Sequence, residues 1–301
     1  MTCVITVTNG DWQYLDEWIT YHHILGVDMF LIAYNGHYEK QSLLPKYDFV
    51  RYFDFSYNEM PVFDNLNRND KYFGIKTRFQ SDIVGYLLNI AKDIYRTCDY
   101  AICIDSDEFV YIENNENINS FLDREFNKEY DFMQLGMINY GDGGLIYNNH
   151  RPVLERLDFI ENSYNPKFVK HLRFRKQIIY LRHKNFYRAP IYIHSIHYMY
   201  KDKRYNVLFD DTKIHIKHFI TKTIEEWIEK FDHNQFGERI KRFEGQVLAQ
   251  FFLLGHNKIT DAHLRAAYEL FPKYKINYKP ELEEIDDFIR NRYIEVNNIH
   301  L

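Results

Sequence analysis

A short apolar segment that runs directly into carboxylates constrains the fold of this chain more than any other feature. Residues 100–104 are almost wholly apolar, and Asp105, Asp107 and Glu108 follow them. An apolar run of this length is typical of a buried strand, in which an unpaired carboxylate would cost several kcal/mol. We therefore predict that the strand ends at Asp105 and that Asp105 and Asp107 emerge on a tight turn.

Asp105 and Asp107 place hard oxygen ligands two residues apart, which suits Mg²⁺ or Mn²⁺ with substrate phosphates in the remaining coordination positions. Open α/β sheets bind their ligands at the carboxyl ends of strands. The pattern therefore predicts a divalent cation at this turn. The alternative is a turn whose acids are only solvated, and Glu108 is interpreted as a structural neighbour rather than a ligand.

The first half of the chain alternates strands and helices. Apolar runs predict strands at residues 3–8, 29–34 and 49–53, and helical periodicity predicts helices at residues 12–25 and 79–96. This alternation is typical of a parallel sheet with right-handed crossovers. The predicted fold class is α/β.

Shorter signals follow the acidic turn. Thr223, with Glu226 three residues later, predicts a capping box at a helix start. We predict one domain over residues 1–232 and a helical C-terminal extension packed on it over residues 233–301. Within these regions we predict further strands at 132–138, 178–181, 191–196 and 214–216, and helices at 121–129, 223–231, 238–254, 261–270 and 280–292.

Composition excludes several classes of protein. A net charge of -5 argues against nucleic-acid binding, which needs a basic face. Cys3, Cys98 and Cys103 are odd in number and lack a CxxC spacing, so we expect no disulfide framework and a reducing compartment. The start of the chain lacks the features of a signal peptide, and no run reaches the roughly 18–20 apolar residues of a membrane span. We expect a cytoplasmic location and leave peripheral attachment to a membrane open.

Several motifs together resemble family-92-like and family-2-like glycosyltransferases. The stretch Asp16–Asp28, with Glu17-Trp18 and a His-x-x-x-Gly ending at Gly26, resembles the acidic Leu-Glu-Trp helix that follows the first strand there. The resemblance covers roughly Cys3 to Lys230. It departs from the family pattern at Thr8-Asn9-Gly10-Asp11, where a basic-Asn-Glu sequence is usual. The later landmarks occur in the family's order: Tyr34-Asn35-Gly36, Gln80, Asp105-Ser106-Asp107-Glu108-Phe109, Tyr140-Gly141-Asp142-Gly143-Gly144, and His215-x-x-His218 before Lys222-x-x-Glu225-Glu226.

The resemblance implies a GT-A fold, a Rossmann-like and mostly parallel sheet flanked by helices. It also implies that the Asp-x-Asp motif holds Mn²⁺ or Mg²⁺ against the diphosphate of a UDP-, GDP- or dTDP-sugar. The implied reaction is hexosyl or deoxyhexosyl transfer, with inversion, to a hydroxyl group of a glycan or glycoconjugate. The residues expected to bind the donor are Thr8, Asn9, Asp11, Asn35, Arg78, Gln80, Asp105 and Ser106.

Some of these residues have simpler interpretations. Asp11 is also placed to cap the helix that follows it, and Asn35 also suits a plain turn. Arg78 lies near the start of a helix, where a basic residue meets phosphate or is solvated. His218 is expected to complete the metal site with Asp105 and Asp107, the alternative being that His215 and His218 are ordinary histidines.

Asp142 lies between Gly141 and Gly143 and is our candidate for the general base that accepts the proton of the acceptor hydroxyl. The alternative is an ordinary Gly-Asp-Gly turn. Glu155 and Asp158 are the competing carboxylates.

Two other functions stay open from the sequence. One is a carbohydrate-binding or scaffold protein derived from a transferase, which would tolerate loss of Asp105 and Asp107. The other is a metal-dependent phosphoryl-transfer enzyme, which predicts a second carboxylate cluster for a second metal.

Overall fold

The computed structural model describes residues 1–8, 12–34, 43–54, 75–93, 95–126, 128, 132–156, 176–182, 213–219, 221–232 and 261–273. The predicted elements at residues 191–196, 238–254 and 280–292 lie outside the described residues and stay predictions. The same holds for Asn9, Asp11, Asn35 and Asp158.

The described residues form eight strands and six α-helices. The strands are β1 (Thr2–Thr8), β2 (Met29–Tyr34), β3 (Val50–Asp54), β4 (Tyr100–Cys103), β5 (Glu108–Ile112), β6 (Phe132–Asn139), β7 (Lys176–Tyr180) and β8 (Ile214–His218). The helices are α1 (Trp12–Ile24), α2 (Ile75–Asp93), α3 (Ile118–Glu125), α4 (Val153–Arg156), α5 (Ile224–Asp232) and α6 (Asp261–Lys273).

The chain divides into two compact units. The first comprises Met1–Ile138 and Pro166–His218, and the second comprises Asn139–Asn165 and Phe219–Leu301. The second unit thus combines the segment after β6 with the C-terminal residues. The domain boundary at residue 232 stays a prediction, because most of the chain beyond it lies outside the described residues.

The first unit is built on a mixed sheet of eight strands in the order β3-β2-β1-β4-β7-β6-β8-β5. β3, β2, β1 and β4 are parallel, whereas β7 pairs antiparallel with both β4 and β6. The predicted α/β class is confirmed, with antiparallel strands extending the parallel part. The carboxyl ends of the parallel strands meet at one edge, which is where the acidic turn follows β4.

Helix α2 covers one face of this sheet. Its apolar residues Ile83, Leu87 and Ala91 are buried against alternate residues of the strands, such as Cys3 and Ile5 of β1. Burial of this kind contributes roughly 25 cal/mol per Å² of apolar surface. The helix predicted at residues 79–96 is thus present, and its apolar residues are the ones that pack on the sheet.

Gly26 ends α1 in a conformation that other residues rarely adopt. Its φ is +104°, and a Cβ atom would collide with the side chain of Asn117. Asn117 in turn caps α3, because its side chain accepts hydrogen bonds from the backbone N–H groups of Asn119 and Ser120. Glycine is therefore required both by the backbone and by the close approach of α3.

In the second unit the capping box at the start of α5 is confirmed. Glu226 Oε2 accepts hydrogen bonds from the Thr223 backbone N–H at 3.1 Å and from Thr223 Oγ1 at 2.7 Å. The Glu226 backbone N–H donates to Thr223 Oγ1 at 3.3 Å. Helix α5 packs against α6. None of the described helices is long and apolar enough to cross a membrane.

Candidate functional site

The acidic turn after β4 closes on itself. The Glu108 backbone N–H donates to the Asp105 carbonyl oxygen at 3.1 Å, and the Asp105 backbone N–H donates to Glu108 Oε2 at 2.8 Å. These two bonds close a turn over Asp105–Glu108, which supports the tight turn predicted from the sequence. The turn leads directly into β5, which begins at Glu108.

The turn meets a histidine from the last strand of the sheet. β5 pairs antiparallel with β8, and Glu108 lies opposite His218. His218 Nε2 is 3.8 Å from Asp107 Oδ1 and 3.9 Å from Glu108 Oε1. One ligand atom from each of Asp107, Glu108 and His218 lies within 4.8 Å of the other two, and all three residues are buried. The structure thus brings Asp107 and His218 together and adds Glu108 to them.

The buried Glu108 carboxylate is not fully satisfied by the groups around it. Its side chain is fully buried, and Oε1 has no hydrogen-bond partner in the described part of the chain. Burial, opposed by Lys176 and reinforced by Asp105 and Asp107, raises the pKa of the Glu108 carboxyl to about 8. A buried carboxylate oxygen with no partner costs free energy, so this oxygen is suited to a cation.

Asp105 has a different environment from Asp107. Its Oδ2 lies 2.6 Å from the ammonium nitrogen of Lys176, and its Oδ1 accepts a hydrogen bond from Gln80 Nε2 at 3.1 Å. The same ammonium lies 3.0 Å from Glu108 Oε2. Burial acts to lower the pKa of Lys176, but Asp105 and Glu108 outweigh it and raise that pKa above its ordinary value. The ammonium therefore stays charged.

Helix α1 holds β5 by three side chains that contact its backbone. Trp18 Nε1 donates to the Glu108 carbonyl oxygen at 2.7 Å, and the Tyr21 hydroxyl donates to the Val110 carbonyl oxygen at 2.7 Å. His22 Nε2 accepts a hydrogen bond from the Val110 backbone N–H at 3.1 Å. The acidic helix motif noted in the sequence is thus tied to the strand that carries Glu108.

The residues present fit a divalent cation. Two ligands of one Mg²⁺ or Mn²⁺ ion, each at about 2.1 Å, lie at most about 4.2 Å apart, and both His218 distances fall within that limit. The carboxylates of Asp105, Asp107 and Glu108 outnumber the ammonium of Lys176 by two charges when all are ionised. A divalent cation would balance that difference.

Five of the predicted donor-binding residues lie in the described part of the chain: Thr8, Arg78, Gln80, Asp105 and Ser106. Thr8 ends β1 at the carboxyl edge of the sheet, is buried, and its Oγ1 has no hydrogen-bond partner among the described residues. Ser106 is buried in the acidic turn, and Gln80 bonds Asp105. Arg78 lies in the first turns of α2.

Asp142 lies in the second unit with an unforeseen partner. Its Oδ2 lies 2.6 Å from His263 Nε2, and its Oδ1 accepts the Gly144 backbone N–H at 2.9 Å. Both side chains are buried, with Asp142 4% and His263 2% exposed. Gly144 has a φ of +80°, which suits the glycine-rich turn. The competing carboxylate Glu155 lies in the short helix α4.

His215 does not join the cluster of Asp107, Glu108 and His218. Its ring stacks on the ring of Tyr111, with ring centroids 4.6 Å apart. The two residues lie opposite each other in the β5–β8 pair. Of the two histidines considered from the sequence, the structure therefore places only His218 beside the acids.

Sequence reasoning missed Lys176 and His263. Lys176 precedes the predicted strand at residues 178–181, and its only local signal was a basic residue at the start of an apolar run. His263 lies in a predicted helix, where nothing local connects it with Asp142. Both pairings join segments far apart in the chain, so no spacing rule could have found them.

Comparisons with known proteins give structural likenesses only. No protein-family model matches the chain, and no curated protein sequence matches it. A glycosyltransferase involved in glycosylation of the major capsid of PBCV-1 is similar with a TM-score of 0.35 and 12% identity, over 74% of this chain and 96% of that one. The galactosyltransferase LgtC, solved with donor and acceptor sugar analogs, gives a TM-score of 0.30 and 13% identity over 60% of this chain and 58% of its own.

The mannosyltransferase Ktr4p from S. cerevisiae gives a TM-score of 0.23 and 12% identity, over 47% of this chain and 40% of that one. Likenesses at this level carry no conclusion about the reaction of this chain.

Proposed function

We propose that this protein is a metal-dependent glycosyltransferase that moves a hexosyl or deoxyhexosyl group, with inversion, from a nucleotide-sugar to a hydroxyl group of a glycan or glycoconjugate. The observation that carries the proposal is the buried cluster of Asp107, Glu108 and His218 at the carboxyl edge of the parallel strands. One Glu108 oxygen there has no hydrogen-bond partner within the described residues. The glycosyltransferase-like motifs supply the reaction class.

Asp107, Glu108 and His218 would hold Mn²⁺ or Mg²⁺. A divalent cation bound there would stabilise the negative charge that develops on the leaving diphosphate. Thr8 and Ser106, both buried at the same edge, support a donor site beside the metal. We assign donor contacts to Thr8, Asn9, Asp11, Asn35, Arg78, Gln80 and Ser106. Asp105, which the sequence also suggested as a donor contact, is bonded by Gln80 and Lys176 instead.

We assign the role of general base to the pair formed by Asp142 and His263. The Asp142 carboxylate accepts from His263 Nε2, which holds the ring in the tautomer whose Nδ1 carries a lone pair. In such a pair the imidazole takes up the proton and the carboxylate stabilises the cation that forms.

The proposal is tested with purified protein and a panel of UDP-, GDP- and dTDP-sugars. Release of the nucleoside diphosphate is measured with Mn²⁺, with Mg²⁺ and with a chelator. We expect hydrolysis or transfer with at least one donor, dependent on the metal. No binding and no turnover across the panel would remove the proposal.

The alternatives make different predictions. A metal-dependent phosphoryl-transfer enzyme with two metals needs a second carboxylate cluster. Among the described residues, Asp107, Glu108 and His218 form the one group of three or more candidate ligands, which favours a single cation. A carbohydrate-binding protein without catalysis would keep its ligand affinity in Asp107→Ala.

A further inference from the structure

Lys176 lies at the acidic turn because of the register of the sheet. It is the first residue of β7, which pairs antiparallel with β4 so that Gln177 lies opposite Cys103. Lys176 therefore lies just beyond the carboxyl end of β4, where Asp105 follows. Its side chain is fully buried, with 0% of its surface exposed.

The ammonium group of Lys176 contacts one carboxylate oxygen of Asp105 and one of Glu108. It contacts Asp105 Oδ2 at 2.6 Å and Glu108 Oε2 at 3.0 Å. Asp105 Oδ1 is already bonded to Gln80. The oxygen of Glu108 that faces His218 is the other one, Oε1, at 3.9 Å. Both carboxylate oxygens of Asp105 thus contact protein side chains, whereas Asp107 Oδ1 and Glu108 Oε1 lie beside His218.

We propose that the Lys176 ammonium pairs with Asp105 in place of a metal ion and orients the Glu108 carboxylate. Asp107, Glu108 and His218 are then the metal ligands, and Asp105 is a positioning residue. This inference rests on the metal site of the proposed function and specifies its ligand set. It assigns the first acid of the Asp-x-Asp motif a different role from the one expected from the sequence.

The reason is electrostatic. Three carboxylates within one turn repel one another, and the burial of Asp107 and Glu108 limits screening by water. A lysine held in the sheet neutralises one carboxylate at all times, at no cost in the entropy of capturing an ion. The turn then needs only one divalent cation. Removing one partner of a buried pair leaves an uncompensated charge, so Asp105 and Lys176 should be replaced together.

The test measures binding of Mn²⁺ alone, by calorimetry, to the full-length protein. In Asp105→Asn/Lys176→Met the local net charge is unchanged and all three ligands are kept, so we expect a smaller loss of affinity than in either ligand variant below. Asp107→Asn and His218→Gln remove a ligand and should lose about tenfold or more, because even groups behind the ligands are worth 10–100-fold. Asp105→Asn alone is the matched control for Asp107→Asn, since each removes one charge from the same turn, and it should lose less.

Thermal unfolding provides a second readout that is independent of metal. Lys176→Met alone should lower Tm more than the double variant, because it leaves Asp105 and the buried Glu108 side by side without the ammonium that contacts both. A double variant that loses Mn²⁺ as severely as Asp107→Asn overturns the role of Lys176 and leaves the metal-dependent function intact. Unchanged Mn²⁺ affinity in both Asp107→Asn and His218→Gln overturns the ligand set, and with it the metal dependence of the proposed function.

Discussion

The indole N–H of Trp18 donates a hydrogen bond of 2.7 Å to the backbone carbonyl oxygen of Glu108. The indole is fully buried in α1, and Glu108 is the first residue of β5. The bond therefore fixes the backbone of a candidate metal ligand from a helix 90 residues earlier in the chain. A motif that resembles a family signature thus has a direct structural role at the site.

Trp18→Phe should destabilise the protein by about 2–4 kcal/mol. It leaves the buried Glu108 carbonyl without its donor, which costs about 1–3 kcal/mol, and it removes buried apolar volume as well. Urea unfolding followed by far-UV circular dichroism measures the change. Tyr47→Phe is the control, since its exposed hydroxyl bonds Asp16 at the surface, and its effect should stay within about 0.5 kcal/mol.

His22 should make stability fall as the pH drops below about 6.5. Its Nδ1 donates to the Trp18 carbonyl oxygen and its Nε2 accepts the Val110 N–H, so a second ring proton would face a donor. Burial lowers the pKa of His22 to about 4, whereas the unfolded value is about 6.5. Between these values the unfolded state binds the extra proton, so stability is complete above pH 6.5 and is lost toward pH 4.

The expected loss from this one histidine is on the order of 3 kcal/mol over that interval. Urea unfolding at pH 7.5, 6, 5 and 4.5 measures it, and His22→Gln provides the comparison. The difference in unfolding free energy between the wild type and the variant should narrow as the pH falls. A difference that is constant with pH would show that His22 does not titrate in this way.

Asp107→Asn should abolish nucleoside-diphosphate binding that depends on Mn²⁺ while changing stability little. Asparagine keeps the shape of this buried turn residue and removes only its charge, so the change forfeits the cation rather than apolar contacts. The affinity of the variant for a nucleoside diphosphate, measured with and without Mn²⁺, tests this expectation. Asp48→Asn, an exposed residue before β3, should behave like the wild type.

Asp142→Asn and His263→Gln should each lower turnover by roughly two orders of magnitude with donor affinity near normal. Because the two side chains act through one bond, the double variant should lose little more than either single variant. Steady-state kinetics, with whichever nucleotide-sugar of the panel proves to be a donor, measures both effects. If Glu155→Gln loses its rate while Asp142→Asn keeps it, the base lies at Glu155 instead.

Most of the fold could be predicted from local patterns. The strands at the start of the chain and helices α1 and α2 follow from runs and periodicities within about 20 residues, since burial of one face selects those spacings. The position of the acidic turn followed from the cost of an unpaired carboxylate inside a buried strand. β5 was missed, although Phe109–Ile112 favours a strand, because the acids before it were interpreted as the end of an element.

The sequence by itself determined the α/β class, the turn at Asp105–Glu108 and the place of the site at the end of β4. Only the tertiary structure decided which groups meet there. The pairing of β5 with β8 places His218 opposite Glu108, and the pairing of β4 with β7 places Lys176 beside Asp105. Antiparallel pairing between distant segments depends on which arrangement of the whole chain buries its strands best, and no local spacing records that choice.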